Sequence, residues 1–123
     1  MNETYEDIQR ELHKLEDQQD DLERFVRKVE QKEEELIFQE QRFLSENERR
    51  IQDWRHDNNA QKLLLEQQEI VQKLFYNRLD FMNGDLKEIK KAKEKISRQE
   101  DECYRRMQNL DLEGEETENG KNY

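Results

Sequence analysis

The side chains with chemical reach are few and poorly spaced for a reaction. Two imidazoles are present, His13 and His56, and neither has a second histidine four residues away. The single cysteine, Cys103, has no CxxC partner, so the spacing of a helix-borne metal site is missing. Carboxylates are plentiful, as in Glu33-Glu34-Glu35 and Glu100-Asp101-Glu102. Acid–base chemistry needs them in a desolvated pocket that displaces their pKa values, and in this composition such runs read as solvated helix faces. A phosphate-cradling loop is excluded because Gly84 is the only glycine before residue 114. Lys87, Lys90, Lys91, Lys93, Lys95 and Arg98 form the one basic stretch. It reads as a balance to Glu88, Glu94 and the acidic first half, with an acidic partner surface as the alternative. The expectation is a protein that is not an enzyme, with no catalytic, cofactor or metal site.

What elements would carry these side chains follows from composition. Of 123 residues 44% are charged, 31% are hydrophobic and none is proline, which points to long helices in at most one domain. So little apolar surface leaves an isolated fold marginal, and a partner that covers more of it would stabilise it. The net charge of −10 argues against a nucleic-acid binder and against an anionic membrane surface. No apolar run approaches the ~20 residues that would insert into a bilayer. The acidic start MNETYEDIQRE does not resemble a cleaved signal peptide, and the lone cysteine suits a reducing compartment. The expected location is the cytoplasm, with co-export lacking a cleaved signal left open.

Periodicity supplies the architecture. Ile8, Leu15, Leu22, Val29, Leu36 and Phe43 recur every seven residues, with Tyr5, Leu12 and Val26 on a companion row. The seam weakens at Gln19, Glu33, Glu40 and Asn47, while Ile37, Leu44 and Ile51 start a neighbouring row, as if the stripe rotated slowly. A second series, Phe75, Met82, Ile89, Ile96, Cys103 and Leu110, runs with Leu79, Leu86 and Met107 and is interrupted at Lys93 and Glu100. Cys103 thus reads as a small buried hydrophobe. Between the two series, Trp54 to Ala60 is rich in Asp and Asn, which favour turns and caps, and Asn58 or Asn59 is the expected cap. The reading is all-α: an antiparallel, coiled-coil-like hairpin with a helix over about 3–54, a turn over about 55–59, a helix over about 60–110, and a disordered acidic tail over 111–123. A turn at Asn83-Gly84 and a continuous rod paired with its own copy are the alternatives.

Several large apolar residues fall off the stripe. Phe38 and Phe81 both take outward positions and would stand at one height if the turn centred near residue 59 or 60. Phe25, Leu65 and Tyr76 extend this second surface, and with Trp54 and Phe75 they make up the expected partner-binding set. Rotation of the helices by one residue would bury them instead.

The stretch ENERRIQDWRHDNNAQKLLLEQQEIVQKLFYNRLDF, followed by ISRQEDECYRRMQNL, resembles the small α-helical proteins associated with LXG toxins in Gram-positive bacteria, and within them the second of two types. The match rests on Arg49-Arg50 ahead of Trp54, on Gln68-Glu69-x-Val71, on the Phe75–Phe81 region and on Glu100-Asp101-x-x-Tyr104-x-Arg106, and covers about residues 46–110. The resemblance implies a targeting factor or chaperone that binds the N-terminal helical LXG domain of a toxin for type VIIb secretion, together with a second small WXG-like helical protein. Trp54-Arg55-His56 departs from the WXG pattern itself, and no clear phenylalanine-x-x-x-aspartate export signal is present. The rival expectation is a structural or regulatory coiled-coil homodimer, and self-association of the lone chain is left open.

Overall fold

Helix α1 spans Tyr5–Asp53 and helix α2 spans Asn58–Lys121, as an antiparallel helical hairpin without strands among the described residues. The computed structural model describes the backbone of residues 3–121 and the side chains of residues 3–114. Each helix start has a local cause. Thr4 precedes α1, and its hydroxyl accepts the Asp7 N–H at 3.2 Å while the Thr4 N–H donates to the Asp7 carboxylate at 3.1 Å. This reciprocal capping box satisfies two donors that the first turn would otherwise leave bare. At α2 the cap is Asp57, whose Oδ1 accepts the N–H groups of Asn59 and Ala60, both at 3.1 Å. The expected caps, Asn58 and Asn59, are instead the first helical residues: a carboxylate one position earlier reaches both amides and also favours the positive end of the helix dipole.

The break covers residues 54–57, closed by Asp57 N–H donating to the Trp54 carbonyl at 2.9 Å. Gln61 Nε2 donates to the Ile51 carbonyl at 3.4 Å and so occupies an acceptor that the end of α1 leaves free. Helix α2 runs straight through Asn83-Gly84, and no described glycine has a positive φ. Its helical backbone extends past the expected end at about 110 to Lys121, into the stretch read as an acidic tail. Extending a formed helix needs only one residue fixed per hydrogen bond, and Leu112 and Glu113 are good helix formers. Residues 122 and 123 of that expected tail lie outside the described residues.

The hairpin comprises two compact units, one of Met1–Phe25 with Glu88–Tyr123 and one of Val26–Lys87. In the first, Ile8, Leu12, Leu15, Ile96, Cys103 and Met107 form a buried cluster flanked by Leu22 and Leu110. Cys103 is 0% exposed, in the apolar role its row implied. Arg106 lies beside this cluster and donates to Glu3, Glu11 and the Cys103 sulfur. The Glu11 carboxylate, foremost among these partners, pushes the guanidinium pKa still higher, so the charge is permanent. In the second unit Val29 and Leu36 are the buried apolar residues, and Asn47 is buried as well.

Along most of α1 the polar residues on the seam do not mark a rotation of the stripe. It turns only toward the end of the helix, where Ile51 rather than Arg50 is half-buried. Gln19, Glu33 and Glu40 remain at seam positions and are half-buried and Asn47 is buried; of the neighbouring row Ile37 is exposed, whereas Leu44 and Ile51 are half-buried. Gln19 Nε2 donates to the Lys93 carbonyl at 3.1 Å and to Ser97 Oγ at 3.3 Å. Lys93 in turn reaches both Glu23 oxygens at 3.0 and 3.2 Å. At Gln19 and Asn47 the polar layer is bonded across the pair, as buried polar groups usually are, whereas Glu33 Oε1 is buried without a partner.

Candidate partner-binding surface

Asn47, 1% exposed, donates to the Leu64 carbonyl at 3.3 Å and to Gln68 Oε1 at 3.0 Å. With the Gln61–Ile51 bond, these pairs place residue i of α1 opposite roughly residue 113 − i of α2. Phe81 therefore stands level with about residue 32, nearly two turns from Phe38, because the turn centres some three residues earlier than the expected 59 or 60. Ile37 and Tyr76, 44% and 69% exposed, do stand at one level in this unit, and Phe38 stands level with Phe75 and nearly so with Leu74.

Successive residues rotate about 100° around a helix, which sorts the outward side chains of the second unit into faces. Leu65 and Tyr76 share one flank of α2, on the side where Ile37 flanks the α1 seam. An open groove at Tyr76, lined also by Glu40, Gln72 and Lys73, runs along this side. Phe81 belongs to the opposite flank of α2, together with Leu63, Ile70 and Leu74, all exposed. Phe38, 65% exposed, points away from the seam of α1. Trp54 is exposed in the break, and Phe75 is half-buried on the seam itself. Phe25 is exposed and belongs to the other unit.

From sequence, Ile70 and Leu74 read as one dense apolar start of the second helix together with Leu64, Val71 and Phe75, and Leu63 is passed over; that start in fact contains two stripes. Leu64, Val71 and Phe75 face the seam, and the others face out. The spacing of seven, four and seven from Leu63 to Phe81 was the signal that separates them. Of the thirteen large apolar side chains exposed among the described residues, nine belong to the Val26–Lys87 unit, while seven of the nine buried apolar residues belong to the other. One unit holds its apolar side chains inward and the other displays them.

Among the described residues no group of His, Cys, Asp and Glu is arranged to hold a metal, and no helix is long and apolar enough to cross a membrane. The surface charges add little: pairs such as Arg42–Glu46 and Lys73–Glu69 are exposed helix-neighbour contacts worth a few tenths of a kcal/mol each. Compared with known proteins, the chain matches no family model, no curated protein and no solved structure.

Proposed function

We propose that this chain is a non-catalytic helical adaptor, a chaperone whose Val26–Lys87 unit packs along the helices of a partner. The observation that carries the reading is the concentration of exposed aromatic and aliphatic side chains in that one unit. An apolar patch rimmed by charge is the usual signature of a protein–protein surface. A two-helix pair leaves the outer faces of both helices open, and further helices close it into a three- or four-helix bundle. Covering ~1,000 Å² or more would stabilise both proteins and keep the partner's own apolar stripe out of water.

The resemblance of residues 46–110 to LXG-associated proteins supplies the partner: the N-terminal helical domain of an LXG toxin, held for type VIIb secretion with a second, WXG-like small protein. The flank bearing Leu65 and Tyr76, level with Ile37, and the outer face bearing Phe38 are the surfaces assigned to it. The test is co-purification of Leu65→Glu, Tyr76→Glu and Phe38→Glu variants with the toxin's N-terminal domain, each checked by circular dichroism. A carboxylate stays hydrated in the free chain and is buried in the complex, so helicity should hold while binding weakens by about 2 kcal/mol or more. Full-strength binding by all three folded variants would rule out these faces, and no binding by the native chain would rule out the partner.

A further inference from the structure

We propose that the remaining flank of α2 is a second helix-pairing seam, which takes the same seam of a second copy of this chain in antiparallel orientation. The proposal goes beyond the adaptor reading and does not depend on it. Leu63, Gln67, Ile70, Leu74, Asn77 and Phe81 follow one another at steps of four, three, four, three and four residues. That is a heptad seam nearly three heptads long, turned roughly 115° around α2 from the seam that meets α1. All six side chains are exposed, the four apolar ones at 57%, 60%, 63% and 72%. A helix with two such seams is built to touch two helices, and only one is supplied within the Val26–Lys87 unit.

The order of residue types identifies the occupant. Read from either end, the seam runs apolar, amide, apolar, apolar, amide, apolar. A two-fold axis at residue 72 therefore sets like against like: Leu63 against Phe81 of the second copy, Gln67 against its Asn77, and Ile70 against its Leu74. The two amides each carry a donor and an acceptor, so an amide facing an amide is satisfied without any third group. The match extends one step further at both ends, where Gly84 falls opposite Ala60. Gly84 has an ordinary φ, and a Cβ built on it would meet nothing within 4 Å, so neither backbone conformation nor packing within the chain requires glycine there. A glycine there leaves room for a second helix to approach closely.

Charge and area limit the strength of this pairing. The chain carries a net −10, but within Asn58–Lys87 Lys62, Lys73, Arg78 and Lys87 balance Glu66, Glu69, Asp80 and Asp85. Two copies can thus meet on this flank without bringing net charge together. Burying the four apolar side chains and their neighbours on both copies removes on the order of 1,000 Å², below the usual range of stable dimers, so the association is weak and reversible. The same two-fold sets exposed Glu66 near Asp80 of the second copy and Lys73 near its counterpart, so added salt should tighten the dimer by screening like charges.

Sedimentation equilibrium of the full chain should show a monomer–dimer equilibrium with a dissociation constant of about 10–100 µM. Added salt should shift that equilibrium toward dimer. Ile70→Lys and Leu74→Lys should be monomeric with unchanged helicity, because both side chains are exposed in the hairpin. Orientation is read from disulfide formation by Leu63→Cys and Phe81→Cys variants, with the fully buried Cys103 kept out of the reaction. A mixture of the two should cross-link much faster than either alone. Self-cross-linking of the separate variants would mean a parallel pair and overturn the proposal, as would dimers that survive the lysine substitutions. A chain that stays monomeric into the millimolar range would also overturn it, leaving the seam to a helix of another protein.

Discussion

At the scale of single residues, the polar members of the seam decide more than the apolar ones. Asn47 is buried as a donor toward two oxygens, the Leu64 carbonyl and Gln68 Oε1. Asn47→Asp keeps its shape but replaces the donating NH2 with a carboxylate oxygen that faces both acceptors. The expected loss is about 2–3 kcal/mol of unfolding free energy in a urea titration, since a buried charged group would lose its partners at once. A change within a few tenths of a kcal/mol would mean that Asn47 is not bonded as described. Glu33 works the other way. Its Oε1 is buried without a hydrogen-bond partner, although the residue as a whole is only half-buried. Glu33→Leu removes that unmet acceptor and supplies an apolar seam residue, so the chain should gain roughly 1 kcal/mol. A lower melting temperature in this variant would show that the carboxylate has a role that the seam position hides. The sequence showed where these residues lie on the heptad, but it suggested a stripe that slips around them. Whether a polar residue is bonded across the seam depends on what stands opposite, and that is set by the turn, not by the residue's own helix.

At the scale of the helix, termini are where short local patterns act. The Asp7 carboxyl is held below the ordinary carboxylate range, chiefly by the Thr4 backbone N–H and then by the Thr4 hydroxyl, with a smaller contribution from Arg10. A lowered pKa in the folded chain means that the capped start of α1 is fully stabilised above the ordinary value of about 3.9 and loses that stabilisation as pH falls through the lowered one. Thr4→Ala removes the hydroxyl but keeps the backbone N–H, so the Asp7 pKa should move part of the way back up toward that ordinary value, as read from its carbon shifts in a pH titration by NMR. An unmoved pKa would show that Thr4 does not cap α1. The Asp- and Asn-rich break was legible in the sequence, whereas the Thr4-x-x-Asp7 cap went unread and the cap of α2 was assigned one or two residues late. Asp, Asn and Asn stand in a row there, and all three are good caps, so only the hydrogen bonds of Asp57 single one out. The seam of α2 was legible from Phe75 onward because it follows one heptad row. Ahead of Phe75 two rows overlap, and periodicity alone does not say which one faces α1.

At the scale of the whole molecule, the two units differ in how far each satisfies itself. Seven of the nine buried apolar residues belong to the unit of Met1–Phe25 with Glu88–Tyr123, and nine of the thirteen exposed large apolar side chains belong to Val26–Lys87. Local stability follows buried apolar contact, so the backbone amides of the two units should not be protected alike. In the isolated chain, amides of Val26–Lys87 should exchange with solvent faster than those of Glu88–Met107. Circular dichroism should show a strongly helical chain that melts broadly and below the ~45–65 °C typical of mesophilic domains. Adding a partner that covers the exposed faces should slow exchange mainly in Val26–Lys87, since ligand that binds only the folded form stabilises what it touches. The pattern separates partner dependence from mere weakness of a long hairpin, which would fray from its open end and leave the residues beside the break most protected. Uniform protection, or a sharp melt above about 70 °C for the chain alone, would mean that the exposed side chains are tolerated rather than awaiting cover, and the adaptor reading would lose its physical basis.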